Sequence, residues 1–190
     1  MSAYPIVLFL HIVGSLGLFG AFALEWASLE SLRRATTLGQ AREWLRLAGS
    51  TRQVGFPSLL TVLVTGIIMT ASRWGWQGWI GVALLSLVPI AVLGAAVSGR
   101  RIRDIGRNLP QGEGSLAPQL VERLRDPALM VSGWLRTTLG LGIVYLMTTK
   151  PSALGAFAVM GVAIVLGLLL GLAPRRERRL ELVEPRRQDA

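Results

Sequence analysis

Five apolar stretches, each near the length needed to cross a lipid bilayer, restrict the fold of this sequence more than any other feature. They cover residues 4–29, 56–71, 79–97, 126–148 and 151–172. A helix needs about 20 apolar residues, within a range of roughly 17 to 25, to cross the hydrocarbon core. The sequence therefore predicts an all-α polytopic membrane helical bundle with about five transmembrane helices. We assign residues 1–174 to this domain and residues 175–190 to a basic cytoplasmic tail.

The composition supports a membrane protein and excludes several other classes. Charged residues make up 16% of the chain, against about 25% in a typical soluble domain. The net charge of +9 could suit nucleic acid, but the arginines lie in blocks between apolar runs rather than on one face. We therefore predict a lipid bilayer as the partner and no nucleic acid. The absence of cysteine excludes disulfides, thiolate metal sites and a cysteine nucleophile.

The distribution of basic residues predicts the orientation of the bundle. Nearly all of the 20 lysines and arginines lie in the first connection, the third connection and the tail, whereas the opposite side has only Arg73 and Lys150. The positive-inside rule then places the N-terminus outside and the C-terminus in the cytoplasm. The first helix lacks a basic segment before it, so we expect it to be retained rather than cleaved as a signal peptide. The predicted location is the inner, or plasma, membrane.

Local signals refine the helix ends. Pro57 is expected in the first turn of a short second helix, and Pro89 should kink the third. Asp126 followed by Pro127 predicts the N-terminus of the fourth helix. Apolar residues at helical spacing in the first inner connection predict a short amphipathic helix lying on the inner leaflet, next to anionic lipid. The apolar residues of this segment are Leu38, Ala41, Trp44, Leu45 and Ala48. The alternative is that the segment is a plain solvated connector.

Two charged residues within the spans are predicted to form an ion pair. At 1.5 Å per residue, Glu25 lies about 12 Å, and Arg136 about 15 Å, from the inner boundary of the membrane. A charge at the centre of a membrane helix costs roughly 2.5 to 3.5 kcal/mol on an insertion scale, so such residues usually find partners. A Glu25–Arg136 pair could fix the register of helices one and four or have a direct function. Alternatively, Glu25 could extend to the inner surface.

His11 is the one histidine of the chain and lies in the outer half of the first helix. It shares one stripe of that helix with Ser15, Leu18, Phe22 and Glu25, which we expect to face inward. A neutral imidazole there could bind haem iron or copper, pass protons, or hydrogen-bond to a neighbouring helix. A haem with two axial histidines would need one histidine from each of two chains.

Small and hydroxyl residues indicate where helices pack. Ser58, Thr61 and Thr65 form a stripe on the second helix that can bond across helices or, with Ser15, line a polar path. The motif Gly167-x-x-x-Gly171 permits close helix packing, within the chain or in a homodimer.

The first helix carries a resemblance to known families. Residues 8–14, Leu-Phe-Leu-His-Ile-Val-Gly, precede an arginine-rich loop, and Pro57 and Thr65-Gly66 precede a tryptophan-rich turn. This pattern resembles uncharacterised bacterial integral membrane proteins grouped as a domain of unknown function. It is also loosely similar to the copper-resistance protein D membrane domain and the membrane-bound protoporphyrinogen oxidase. The latter resemblance implies haem binding at His11.

Three functions are compatible with these observations. The first is a small membrane protein that binds haem b, or another redox cofactor or metal, through His11. The second is a non-enzymatic accessory or scaffold protein whose basic inner surface contacts lipid or a membrane partner protein. The third is a small-solute or metal permease with a path past His11 and Arg136. No catalytic motif identifies an enzyme.

Overall fold

Long helices account for nearly all of the structure. The computed structural model of the protein describes residues 3–173; the proposed tail, 175–190, lies outside the described residues. The helices are α1 Tyr4–Arg33, α2 Leu38–Met69, α3 Gly78–Val92, α4 Gly99–Arg107, α5 Pro118–Leu124, α6 Pro127–Thr149 and α7 Ala153–Leu172. Within residues 3–173 there is no strand, only an isolated bridge between Thr37 and Ser115. The prediction of an all-α fold is confirmed.

Five helical stretches are long and apolar enough to cross a membrane. They are Tyr4–Arg33, Leu38–Trp74, Gly78–Arg107, Pro118–Thr149 and Ala153–Leu172. Large apolar side chains cover the outside of the bundle, among them Leu154 at 81% exposure and Leu16 at 68%. Such a surface suits a hydrocarbon solvent, in which apolar side chains need no burial against protein. The chain is a multi-pass, membrane-type helical bundle.

The two ends of the bundle differ in charge. At one end, the first and third connections meet through the Thr37–Ser115 bridge, and Arg42 Nη2 donates to the Pro110 and Gly112 carbonyls at 3.2 Å each. At the other end, Lys150 Nζ lies 3.9 Å from the centre of a Trp74 ring. Arg73 lies over Tyr4 in the same way, at 5.1 Å. The structure thus places the arginine-rich connections together; which side of the cell they face stays a prediction.

The second helix is much longer than predicted. It begins at Leu38 and continues through a π-helical turn, Thr70–Trp74, so that Pro57 lies well inside it rather than in its first turn. Interior proline is tolerated in membrane helices because neighbouring groups satisfy the freed backbone atoms. At about 1.5 Å per residue the stretch to Trp74 is about 55 Å long, so it extends well beyond a hydrocarbon core of about 30 Å.

The amphipathic segment of the first inner connection is the beginning of α2. Leu38, Ala41, Leu45 and Ala48 are buried in a second apolar cluster, which includes Leu32. The prediction of a separate helix on the inner leaflet is therefore wrong, and so is the alternative of a solvated connector. The segment does have the apolar face that its periodicity indicates, but this face packs on protein instead of lipid.

Pro89 lies inside α3, and the α-helical pattern ends three residues later. A π-helical segment, Leu93–Ser98, follows and leads into α4. π-Helical turns widen the helix by one residue and often occur at functional sites. Here the segment packs against α6.

The fourth predicted span begins as expected. The carboxylate of Asp126 accepts a hydrogen bond from the Ala128 N–H at 2.9 Å, and Pro127 occupies the first turn of α6. The fifth helix has a cap that the sequence analysis did not identify, since Ser152 Oγ accepts from the Gly155 N–H at 3.2 Å.

The glycines of the Gly167-x-x-x-Gly171 motif serve packing within the chain. A Cβ atom on Gly167 would lie 2.9 Å from the Leu135 Cα atom, and one on Gly171 would lie 2.7 Å from the Val131 Cα atom. Backbone atoms of α6 therefore occupy the space that a side chain would need. Of the two roles considered for this motif, contact between helices of one chain is the role that the structure places there.

Gly167→Ala should destabilise the protein, whereas Gly161→Ala should not. The first adds a methyl group against the α6 backbone, and overpacking of this kind typically costs about 1 to 3 kcal/mol. Gly161, on the same helix, has no atom within 4 Å of the added Cβ. Thermal unfolding of both variants in one detergent measures the difference. Equal melting temperatures would contradict the packing described here.

Candidate functional site

A buried ion pair joins α1 to α6 in the half of the bundle next to the arginine-rich connections, which we call the inner half; the opposite half is the outer half. Arg136 Nη1 donates to Glu25 Oε2 at 2.9 Å, and Nη2 donates to Oε1 at 2.5 Å. The two side chains are only 7% and 9% exposed. This two-bond geometry matches the planar guanidinium to the planar carboxylate and satisfies both charges. The two residues paired in the sequence analysis therefore lie in direct contact.

Two serines complete the surroundings of Arg136. Its Nη2 lies 3.3 Å from Ser98 Oγ, and its Nε donates to the Ser132 carbonyl at 3.3 Å. Ser98 ends the π-helical segment, and its hydroxyl lies 3.1 Å from that of Ser132. The π-helical segment thus brings a hydroxyl of the third span to the ion pair. Among the described residues, four of the five N–H groups of Arg136 have partners.

Close packing of α1 on α2 positions His11. A Cβ atom on Gly14 would lie 3.0 Å from Thr61 Cγ2, and one on Gly17 would collide with Ser58 Oγ. The hydroxyl stripe on α2 thus fits against glycines of α1, as small residues allow in membrane helices. One consequence is that Thr65, the next member of the stripe, comes within reach of the imidazole.

The hydrogen bond between His11 and Thr65 assigns the tautomer of the imidazole. Thr65 Oγ1 lies 2.8 Å from His11 Nδ1 and 2.5 Å from the Thr61 carbonyl oxygen. A hydroxyl has a single proton, and a carbonyl can only accept. The Thr65 proton therefore goes to Thr61, and the hydroxyl accepts the Nδ1 proton of His11. In the neutral ring this leaves the lone pair on Nε2, which is the form that binds metals.

His11 lines a cavity in the outer half of the bundle. The cavity has a volume of about 500 Å³ and lies among α1, α2, α3 and α6. Its walls are mostly apolar, and its polar groups include His11, Ser15 and Lys150. Met69 and Met147, from α2 and α6, also line it. Apolar cavities of about 300 to 1,000 Å³ with a few polar groups are typical binding sites for small molecules.

A second cavity, of about 360 Å³, lies in the inner half. The ion pair forms part of its wall, together with Thr51 and two further arginines, Arg52 and Arg103. The remaining wall is mainly apolar. The two cavities share no lining residue among those described.

The structure separates the residues that the sequence placed on one stripe of α1. His11 and Glu25 are both buried and Ser15 is half-buried, but His11 belongs to the outer cavity and Glu25 to the inner one. Neither cavity is lined by Ser58, Thr61 or Thr65. Within residues 3–173 these hydroxyls therefore form no continuous polar path through the cavities. Ser58 and Thr61 pack on α1, and Thr65 binds His11.

Sequence reasoning missed four residues of these sites. Ser132 precedes Arg136 by one helical turn, so its position on the same face was a usable signal. Ser98 lies one residue beyond the predicted third span, and the π-helical turn that directs it inward has no clear sequence signature. Met69 and Met147 are unremarkable members of apolar runs, and only the fold brings them to one cavity. No cluster of three or more His, Asp or Glu side chains occurs within residues 3–173.

The fold and the cavities define a multi-pass, membrane-type helical bundle with two separate cavities. A comparison of the chain with protein-family models, curated proteins and solved structures finds no significant match. The resemblance to the copper-resistance protein D membrane domain and to the membrane-bound protoporphyrinogen oxidase therefore stays a prediction.

Replacing Arg136 by Leu should lower the free energy of unfolding by about 3 to 5 kcal/mol, because it leaves Glu25 buried without its partner. Glu25→Gln should lower the free energy of unfolding less in the Arg136→Leu background than in the wild type. Unfolding of the two single variants and the double variant, measured in mixed micelles, gives the coupling energy, expected between about 0.5 and 3 kcal/mol. Additive effects would contradict the pairing.

Proposed function

We propose that the protein binds a redox-active metal cofactor, with haem favoured, in the outer cavity of a bacterial inner membrane protein. His11 is the proposed ligand. The observation that carries the proposal is the imidazole itself: Thr65 holds its Nδ1, and the ring lies on the wall of a cavity of about 500 Å³. An intramembrane ionisable residue that faces a cavity is a functional-site hypothesis by default.

The donors around the cavity fit such a cofactor. Neutral His11 offers the Nε2 lone pair, and haem iron is commonly held by one histidine or by a histidine and a methionine. Met69 and Met147 supply thioether sulfurs in the same cavity. Imidazole with thioethers also suits Cu(I), a soft ion. The volume favours haem, because a bare copper ion would leave most of the space unfilled.

The outer end of the cavity offers cations for the carboxylates of a haem. Lys150 lines the cavity, and Arg73 lies over the ring of Tyr4, another lining residue. Apolar walls between these cations and His11 would exclude water from the iron. When bound, such a cofactor supplies one-electron chemistry, and the burial and axial ligands of its site set its potential. The residues of this chain would bind it, orient it and separate it from water.

The inner ion pair supports a structural role better than a permease path. Arg136 uses four of its five N–H groups on Glu25, Ser98 and Ser132. A solute that passed this point would have to replace those bonds, at a cost typical of breaking a buried pair. We therefore place the ligand of the proposed function in the outer cavity.

Protein purified without added haem from cells grown with a haem precursor should show a Soret band that is lost in His11→Ala. Thr65→Val should weaken haem binding by about 10- to 100-fold, as loss of a group that orients a metal ligand typically does. Ser15→Ala is the matched control, since Ser15 lines the same cavity but donates to the His11 carbonyl instead of the ring. It should keep the band.

Metal analysis of the same samples separates the alternatives. Copper that is present at one per chain without a Soret band, and lost in His11→Ala, would assign the site to copper. A colourless, metal-free protein that takes up neither haem nor copper, and whose stability does not change in His11→Ala, would overturn the proposal. That result would favour the accessory or scaffold function.

A further inference from the structure

The inner cavity contains more positive charge than the ion pair can neutralise. Glu25 is the one acidic residue among those lining it, and Arg136 already neutralises Glu25. Arg52 and Arg103 also line the cavity, and both are exposed. Neither has an ion-pair or hydrogen-bond partner within residues 3–173. The cavity mouth therefore has two unneutralised positive charges.

The position of these arginines is near the inner boundary of the membrane. Arg52 precedes the predicted apolar run of α2 by four residues, and Arg103 follows the predicted end of the third run by six. Arg136 lies deeper in the bundle, paired with Glu25. A ligand that filled the cavity would place an anionic group at the boundary and an apolar portion towards the centre of the membrane.

The wall between these two levels is apolar and open to the side. Phe56, which lines the cavity, is 63% exposed, and Ala91 and Ala95 on the facing helix are exposed as well. The opening between α2 and α3 thus faces the hydrocarbon of the inner leaflet. A small hydrophilic anion would leave this apolar wall without a partner, whereas an acyl chain would cover it.

From this arrangement we infer that the inner cavity is a specific site for an anionic phospholipid. Arg52 and Arg103 bind the phosphate and the adjacent headgroup, and one acyl chain packs on Phe56 and Ala91. Arginine is suited to phosphate because its planar fork donates two parallel hydrogen bonds. The site differs from a general attraction of basic segments to anionic lipid, because it takes one lipid in a defined cavity.

Native mass spectrometry of the full chain, titrated with dioleoyl-phosphatidylglycerol, tests this inference. The wild type should retain one lipid per chain at low lipid concentration and should bind dioleoyl-phosphatidylcholine more weakly. Arg52→Gln with Arg103→Gln should weaken phosphatidylglycerol binding by about 10- to 30-fold, since each arginine near an anionic surface contributes about a factor of five. Ala91→Phe should also prevent binding, because it fills the cavity without changing its charge.

Arg46→Gln with Arg107→Gln is the matched control. These arginines are exposed on α2 and α4, as Arg52 and Arg103 are, but they do not line the cavity. The control should bind the lipid within about twofold of the wild type. An equal loss in both double variants, or full binding by Ala91→Phe, would overturn the inference.

A final experiment adds sodium phosphate as a competitor of the bound lipid. Phosphate should not displace the lipid at millimolar concentration. Displacement would show that a soluble anion occupies the site and would overturn the assignment to lipid. Because His11 and the outer cavity take no part, these outcomes are independent of whether a metal cofactor binds.

Discussion

The contact between Glu25 and Arg136 is the interaction on which the arrangement of the inner half depends. Two charges in a low-dielectric medium are tolerable only when each satisfies the other, and loss of one leaves the second uncompensated. The pair fixes α1 against α6 at one depth, and Ser98 adds the third span to the same point. Three of the five spans therefore meet at a polar contact, where lipid cannot substitute for the protein partner.

Apolar packing on the outer side of this polar contact explains why the bundle has two cavities instead of one continuous path. Apolar core residues, including Leu18, Phe22 and Leu87, lie between His11 and the ion pair. The Arg136 guanidinium lies over the Phe22 ring, 5.4 Å from its centre, so this part of the inner cavity wall combines charge and aromatic surface. Each cavity therefore lies in one half of the bundle and has its own chemistry: imidazole and thioethers in the outer cavity, arginines in the inner cavity.

The sequence predicted those features that follow from the length and depth of apolar runs. The five spans, the Asp126 cap and the common depth of Glu25 and Arg136 could all be read from spacing. The length of α2 could not be predicted in this way. The sequence gives only a weak signal that a membrane helix continues beyond the bilayer when the apolar face of its extension packs on protein. Likewise, the position of Ser98 depends on a π-helical turn, and the placement of Met69 and Met147 around one cavity depends on tertiary packing.

A physical difference separates the two buried polar groups of α1. Both oxygens of Glu25 accept from Arg136, so this carboxylate has strong partners and stabilises the fold without a ligand. His11 differs, because Thr65 is the partner of one ring nitrogen and the residue lines a large cavity. A neutral imidazole whose Nδ1 donates to a neighbour has its lone pair on Nε2, which is the form that binds metals. This difference is why we propose a ligand-binding role for the histidine and a structural role for the ion pair.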